Sequence, residues 1–122
     1  MTCYTNEITT LEEFTEIAKN RLDSCTNILL GEKNREYSRN NDKLHNFKRT
    51  ARIDNETPER ALWGMWKKHI TSIADMIDDI DNGIIPDEKT MADKFNDNIN
   101  YTLLLEGLIR ERWKRNGREE KI

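Results

Sequence analysis

Long apolar runs are missing from this chain. Nowhere do about 18 consecutive apolar residues occur, so no membrane-spanning helix is expected, and no signal-peptide pattern is read at its start. Cysteine is scarce too. Cys3 and Cys25 are the two present, and their separation matches neither metal-binding nor redox spacing, so both are expected to be free thiols in a reducing cytoplasm. No alternating strand pattern, internal repeat or low-complexity tract appears, which leaves helix as the reading for most of the chain. Apolar residues make up 35%, the same share as charged ones, which is polar for a globular chain. Three tryptophans and long apolar periodicities nevertheless argue against disorder. At 122 residues the expectation is one helical domain over 1–122, with frayed ends near 1–8 and 116–122.

Charge is present but unevenly placed. The net charge is −3, yet between Lys33 and Arg52 seven Lys and Arg residues stand against two acids, Glu36 and Asp42. Between Asp75 and Asp97 eight acids stand against Lys89 and Lys94. The first run suits phosphates and the second a hard cation, although a mottled, solvated surface accounts for either run alone.

Helix signals are explicit. Thr10 and Glu13 form a capping box ahead of Leu11, Phe14, Ile17, Ala18, Leu22, Cys25, Ile28 and Leu29 at helical spacing. A short helix is expected over about 42–53 inside a basic, turn-rich segment. Thr57-Pro58-Glu59 places an N-cap, a proline at the first helical position and an acid at the positive dipole end. That helix is predicted to run to about residue 80, where Asn82-Gly83 supplies a left-handed stop. The last is predicted over about 88–114. Short connections between long amphipathic helices give an all-α, antiparallel helical bundle. Trp66, Ile73, Ile77, Ile99, Leu103 and Leu108 are expected to be buried.

The stretch "DKFNDNINYTLLLEGLI", residues 93–109, carries the functional clue. At 100° per residue, Asp93, Lys94, Asp97, Asn100 and Tyr101 fall on one line. The same line continues through Leu104 and Leu108, so it points inward and not to solvent. Helix 58–80 has its own polar line through Lys68, Ser72, Asp75 and either Asp78 or Asp79. Both stripes lie at similar distances from the turn joining their helices, so they are expected to face each other. Carboxylates drawn out of water need a cation or several donors. Mg²⁺, with its oxygen ligands and its habit of sharing them with phosphates, suits the role. Simple pairing of Asp97 with Lys94 or Lys68 is the bland alternative.

The segments "KNREY", "LHNFKR", "ALWGMWKKHITSIADM" and "DK..D..NY", within about 31–112 or two thirds of the chain, resemble a group of small phage and prophage proteins. These lie in or near the MazG-like all-α nucleoside triphosphate pyrophosphohydrolases and the related phage domains associated with nucleotide modification. The resemblance implies a MazG-like bundle in which helical carboxylate pairs hold Mg²⁺, activating a water that cleaves a nucleoside triphosphate to monophosphate and pyrophosphate. Asp75-x-x-Asp78 and, eighteen residues on, Asp97-x-x-Asn100 occupy the matching spacing with shorter side chains. Glu36, one turn from Glu32, is expected to add a carboxylate.

The expected site follows. Asp75, Asp78, Asp97 and Glu36 are the metal ligands, and Lys68, His69 and Asp97 the catalytic set. Lys48, Arg49, Lys94 and Asn100 bind substrate, with Tyr37 or Phe47 stacking on the base, since both aromatics stand isolated among basic residues. His69 reads first as a packed, singly hydrogen-bonded histidine and second as a base, and His45 reads as a surface residue. Trp63 and Trp66 read as core. The alternative function is a non-catalytic binder of a nucleotide or, against the acidic pI near 5.5, of nucleic acid. Helix 58–80 carries apolar residues on more than one face (Leu62, Met65 and Met76 besides the Trp66 line). That is more than so short a chain covers alone, so a homodimer is expected, as among MazG-like relatives.

Overall fold

Threonine and aspartate caps set where the helices begin. Thr10 Oγ1 accepts the Glu13 amide at 3.1 Å, while the Glu13 carboxylate accepts the Thr10 amide at 3.3 Å. This capping box opens α1, Leu11–Leu30. In the computed structural model, residues 9–31 and 42–117 are described. Helix α2 spans His45–Asp54 and ends at Asn55, whose left-handed backbone (φ 53°) turns its N–H back to the Ala51 carbonyl. Thr57 caps α3, Pro58–Asp81, with Pro58 in the first turn, where its missing N–H costs nothing. Asp87 Oδ1 accepts the Thr90 amide at 2.7 Å and opens α4, Glu88–Arg115. Between α3 and α4, Gly83 (φ 85°) makes the stop the sequence predicts. Its N–H reaches the Ile80 carbonyl and that of Ile84 the Asp79 carbonyl, the paired bonds of a Schellman turn.

The described residues form an all-helical bundle. Helix α4 is its axis, with α3 antiparallel along one side and α1 parallel along another, and α2 packs on α3. Leu29, Phe47, Leu62, Tyr101, Leu104 and Leu108 make the core, with Leu44, Met65, Trp66 and Leu105 against it. Of the residues expected to be buried, Leu108 is, while Trp66, Ile73 and Ile99 are half-buried and Ile77 and Leu103 exposed. The reason is geometric. Residues 99–109 are apolar nearly all round, but the other described helices cover part of α4, and Leu103 and Ile109 keep an open face. Helix α1 is similarly undercovered: Cys25 and Leu29 are buried while Leu11, Phe14, Ile17 and Leu22 stay exposed. No helix among the described residues is long and apolar enough to cross a membrane.

Two polar clasps fix α4 against its neighbours. Asn96, buried on α4, accepts at Oδ1 from Arg21 at 2.9 Å and from Cys25 Sγ at 3.1 Å, and donates to Ser24 Oγ at 3.1 Å. At the other end Arg112 grips Glu59 with two charge-assisted bonds of 2.6 Å. Those bonds from Arg112 hold the Glu59 carboxyl below its usual range, against the opposing effect of burial. A depressed carboxyl contributes stability above its unfolded pKa of about 4.3 and loses it as pH falls through the folded value. Glu59→Gln is therefore expected to lower the Tm by roughly 3–6 °C at pH 7, a deficit that shrinks in acid. Thermal melts in neutral and acidic buffer that show a constant deficit would contradict this origin.

Candidate functional site

The polar line of α4 does run inward. Asp93 is exposed, Lys94 and Asp97 are half-buried, and Asn100, Tyr101, Leu104 and Leu108 are buried. Its leucines are core because the line dips from solvent at the connector end into the bundle at the other.

Where it meets α3, the side chains interlock. His69 Nδ1 lies 3.3 Å from Asp97 Oδ2, and the His69 ring leans on Tyr101 with centroids 5.0 Å apart. Tyr101 is stacked on Trp66 and meets Phe47 edge-on, so the imidazole rests on an aromatic floor. Trp66 Nε1 donates to Asn98 Oδ1 at 2.9 Å, and Asn98 Nδ2 donates to the His69 carbonyl at 3.1 Å and the Lys94 carbonyl at 2.8 Å. Lys94 Nζ donates to the Ser72 carbonyl at 3.0 Å and also to Ser72 Oγ. Burial pushes the Asp97 carboxyl above its usual range, the nearby His69 pulls it down, and Asp93 one turn away adds to the rise. A carboxyl raised by burial beside an imidazole is an arrangement suited to proton transfer. One turn further along α4, the buried Asn100 Oδ1 has no hydrogen-bond partner among the described residues. An orphaned buried acceptor is costly unless a ligand N–H or O–H satisfies it.

The partner of Asp97 is thus His69, not Lys94 or Lys68. Lys68 is exposed and Lys94 is taken by Ser72. His69 was visible in the sequence as a candidate, but its pairing needs the α3–α4 register, which no periodicity supplies. Asn98, which bridges Trp66 to the His69 carbonyl, carried no signal at all.

The same register separates the expected metal ligands. His69 lies level with Asp97 and Ser72 with Lys94, so Asp75 falls level with Met91. That is about 9 Å along the axis from Asp97 at 1.5 Å per residue. Asp75 and Asp78 are exposed, and among the described residues no group of three His, Cys, Asp or Glu side chains is placed to hold a metal ion. Asp75, Asp78 and Asp97 are not brought into one such group among the described residues. Glu36, Glu32 and Tyr37 lie outside the described residues.

The basic segment also differs from expectation. Phe47 is 0% exposed, so its ring is core and offers no face to a base. Its basic sequence neighbours lie on other sides of α2, while Phe47 itself points at α3 and α4. Lys48 is held by Asp42 at 2.8 Å and Glu111 at 2.6 Å. Burial lowers its pKa, but the two carboxylates outweigh that and raise it overall. Arg49 is exposed on α2. His45 is half-buried, not a surface residue, and its Nε2 is enclosed without a partner among the described residues.

Comparison with protein-family models, with curated proteins and with solved structures yields no match to this chain.

Proposed function

We propose that the protein acts in nucleotide metabolism, as a small phage or prophage protein that binds a nucleoside triphosphate at the α3–α4 seam. The reaction proposed is that of the MazG-like pyrophosphohydrolases it resembles. The observation that carries the reading is the Asp97 carboxylate placed 3.3 Å from His69, whose ring rests on Tyr101. In the proposed reaction a water oxygen attacks the α-phosphorus and the α–β bridging bond breaks. Pyrophosphate leaves, and the water's proton passes to the His69–Asp97 pair. Exposed Lys68 and Arg49 are the cations open to phosphate oxygens, and the Asn100 acceptor suits a donor on the base or sugar. The Mg²⁺ dependence that the resemblance implies would draw on Asp97 at this seam.

A second reading has its own support: the separation of Asp75 and Asp78 from Asp97 favours a nucleotide binder without turnover. Incubation with each nucleoside triphosphate and Mg²⁺ distinguishes the two. Pyrophosphate release from at least one triphosphate, lost in His69→Ala, is the expected result. Saturable binding without pyrophosphate would leave the binder, and neither binding nor release would overturn both readings.

A further inference from the structure

On a helix a charged side chain finds its partners three and four residues away. Around Arg21 of α1 these are Ile17, Ala18, Ser24 and Cys25, and none carries a negative charge. The facing side chain of α4 is neutral as well: Arg21 Nη1 donates to Oδ1 of the buried Asn96, an amide. A guanidinium has five N–H donors. Among the described residues Asn96 accepts from it, and no carboxylate lies within ion-pairing reach. Arg21 is nonetheless half-buried. Arg112 and Lys48, half-buried too, have carboxylate partners in Glu59 and in Asp42 and Glu111.

The space beside Arg21 is open. Between α1 and the first turns of α4 lies a cavity of 490 Å³. Ile17, Met91 and Ala92 give it apolar walls, and Arg21, Asn20 and Ser24 bring polar groups to it. Few convergent polar groups in an apolar hollow of this size are the make-up of a small-molecule site. Glu88 also reaches the wall, but it is exposed and stands on the opening turn of α4. That is about 12 Å of helix from the Asn96 that holds Arg21. Asn96 and Asp97 are successive residues facing about 100° apart, the first toward α1 and the second toward α3. The cavity is therefore separate from the His69–Asp97 seam.

We infer that the α1–α4 cavity is a second ligand site, for an amphipathic organic anion. Its carboxylate or phosphate pairs with Arg21, and its apolar body lies against Ile17 and Met91. The planar fork of N–H groups suits either oxyanion, and the bond to Asn96 fixes that fork before the ligand arrives. An anion is favoured over a cation because the basic group is half-buried and unmatched, whereas the acid on the wall is solvated. The inference does not depend on the nucleotide reading.

Octanoate, octyl phosphate and octanol, titrated into the full chain by calorimetry, test it. Saturable binding of octanoate or octyl phosphate is expected, the tighter of the two naming the headgroup, with octanol weaker by roughly tenfold or more. In amide NMR spectra the shifts should fall at residues 17–24 and 88–92 and leave 66–72 unmoved. Arg21→Gln keeps a donor for Asn96 but loses the charge, and should weaken anion binding by roughly tenfold or more. Ile17→Glu sets a carboxylate four residues before Arg21, the favoured order for a helical pair. Ile17 is 57% exposed, so the helix accommodates the change. This internal carboxylate should block the anions while the Tm stays unchanged or rises. Failure of both anions to bind, octanol as tight as octanoate, or undiminished affinity in either variant would overturn the inference. Shifts centred on Trp66, His69 and Tyr101 would overturn it as well.

Discussion

Replacing Phe47 by alanine is expected to remove about 3–5 kcal/mol of folding stability, the range for deleting a buried phenylalanine. That is a large share of the roughly 5–15 kcal/mol available to a domain of this size. The ring is wholly enclosed by Leu29, Leu62, Tyr101, Leu104 and Leu108, and its edge-on contact with Tyr101 has a centroid distance of 6.2 Å. Truncation leaves a cavity beneath the aromatic floor on which His69 rests. Urea unfolding reads the loss directly. Had Phe47 instead stacked on a base, Phe47→Ala would leave the midpoint nearly unchanged and weaken nucleotide affinity. The two assignments therefore predict opposite patterns from one variant.

Asp97→Asn is expected to separate activity from stability. Losing a positioned proton acceptor costs about 100-fold or more in turnover, so pyrophosphate release should fall at least that far. Stability at neutral pH should stay within about 1 kcal/mol of the natural chain, or rise slightly. The sign follows from burial, which raises the folded pKa of Asp97. The folded state then binds the proton more tightly than the unfolded one. Stability accordingly declines as pH rises from the unfolded value of about 3.9 through the folded value. Asparagine carries no titrating charge and removes that slope, while still offering an oxygen to His69. Melting curves across the acid range should show a flatter profile for the variant. A marked loss of stability at pH 7, or undiminished pyrophosphate release, would show that Asp97 is a structural partner of His69 and no more.

How far the sequence reaches can be judged from these same residues. Thr10, Thr57 and Asp87 cap their own helices through local bonds, and Gly83 stops α3 through its own backbone, so the boundaries were legible to within a few residues. The inward course of the line from Asp93 to Leu108 was legible too, because one helix's periodicity contains it. What periodicity does not contain is the offset between two helices. The path of residues 82–87 sets it, and a shift of under two turns moves Asp75 out of reach of Asp97 and brings His69 in. Lys48 shows the same limit: Asp42 is close in sequence, but Glu111 comes from the far end of α4. Phe47 looks isolated in the sequence because its immediate neighbours are basic, although on a helix the neighbours that matter lie three and four residues away.

The Asn96 clasp has a consequence in reactivity. Cys25 Sγ sits inside it, 1% exposed and donating to Asn96, and burial holds the thiol protonated by pushing its pKa up. The thiolate is the form that reacts with disulfides and alkylating reagents, so Cys25 is protected twice over, by enclosure and by protonation. Both protections depend on α1 lying against α4 and vanish together if it lifts. In a chain with Cys3 replaced by serine, the labelling rate of this single thiol is a clock for how often the first helix lets go of the last.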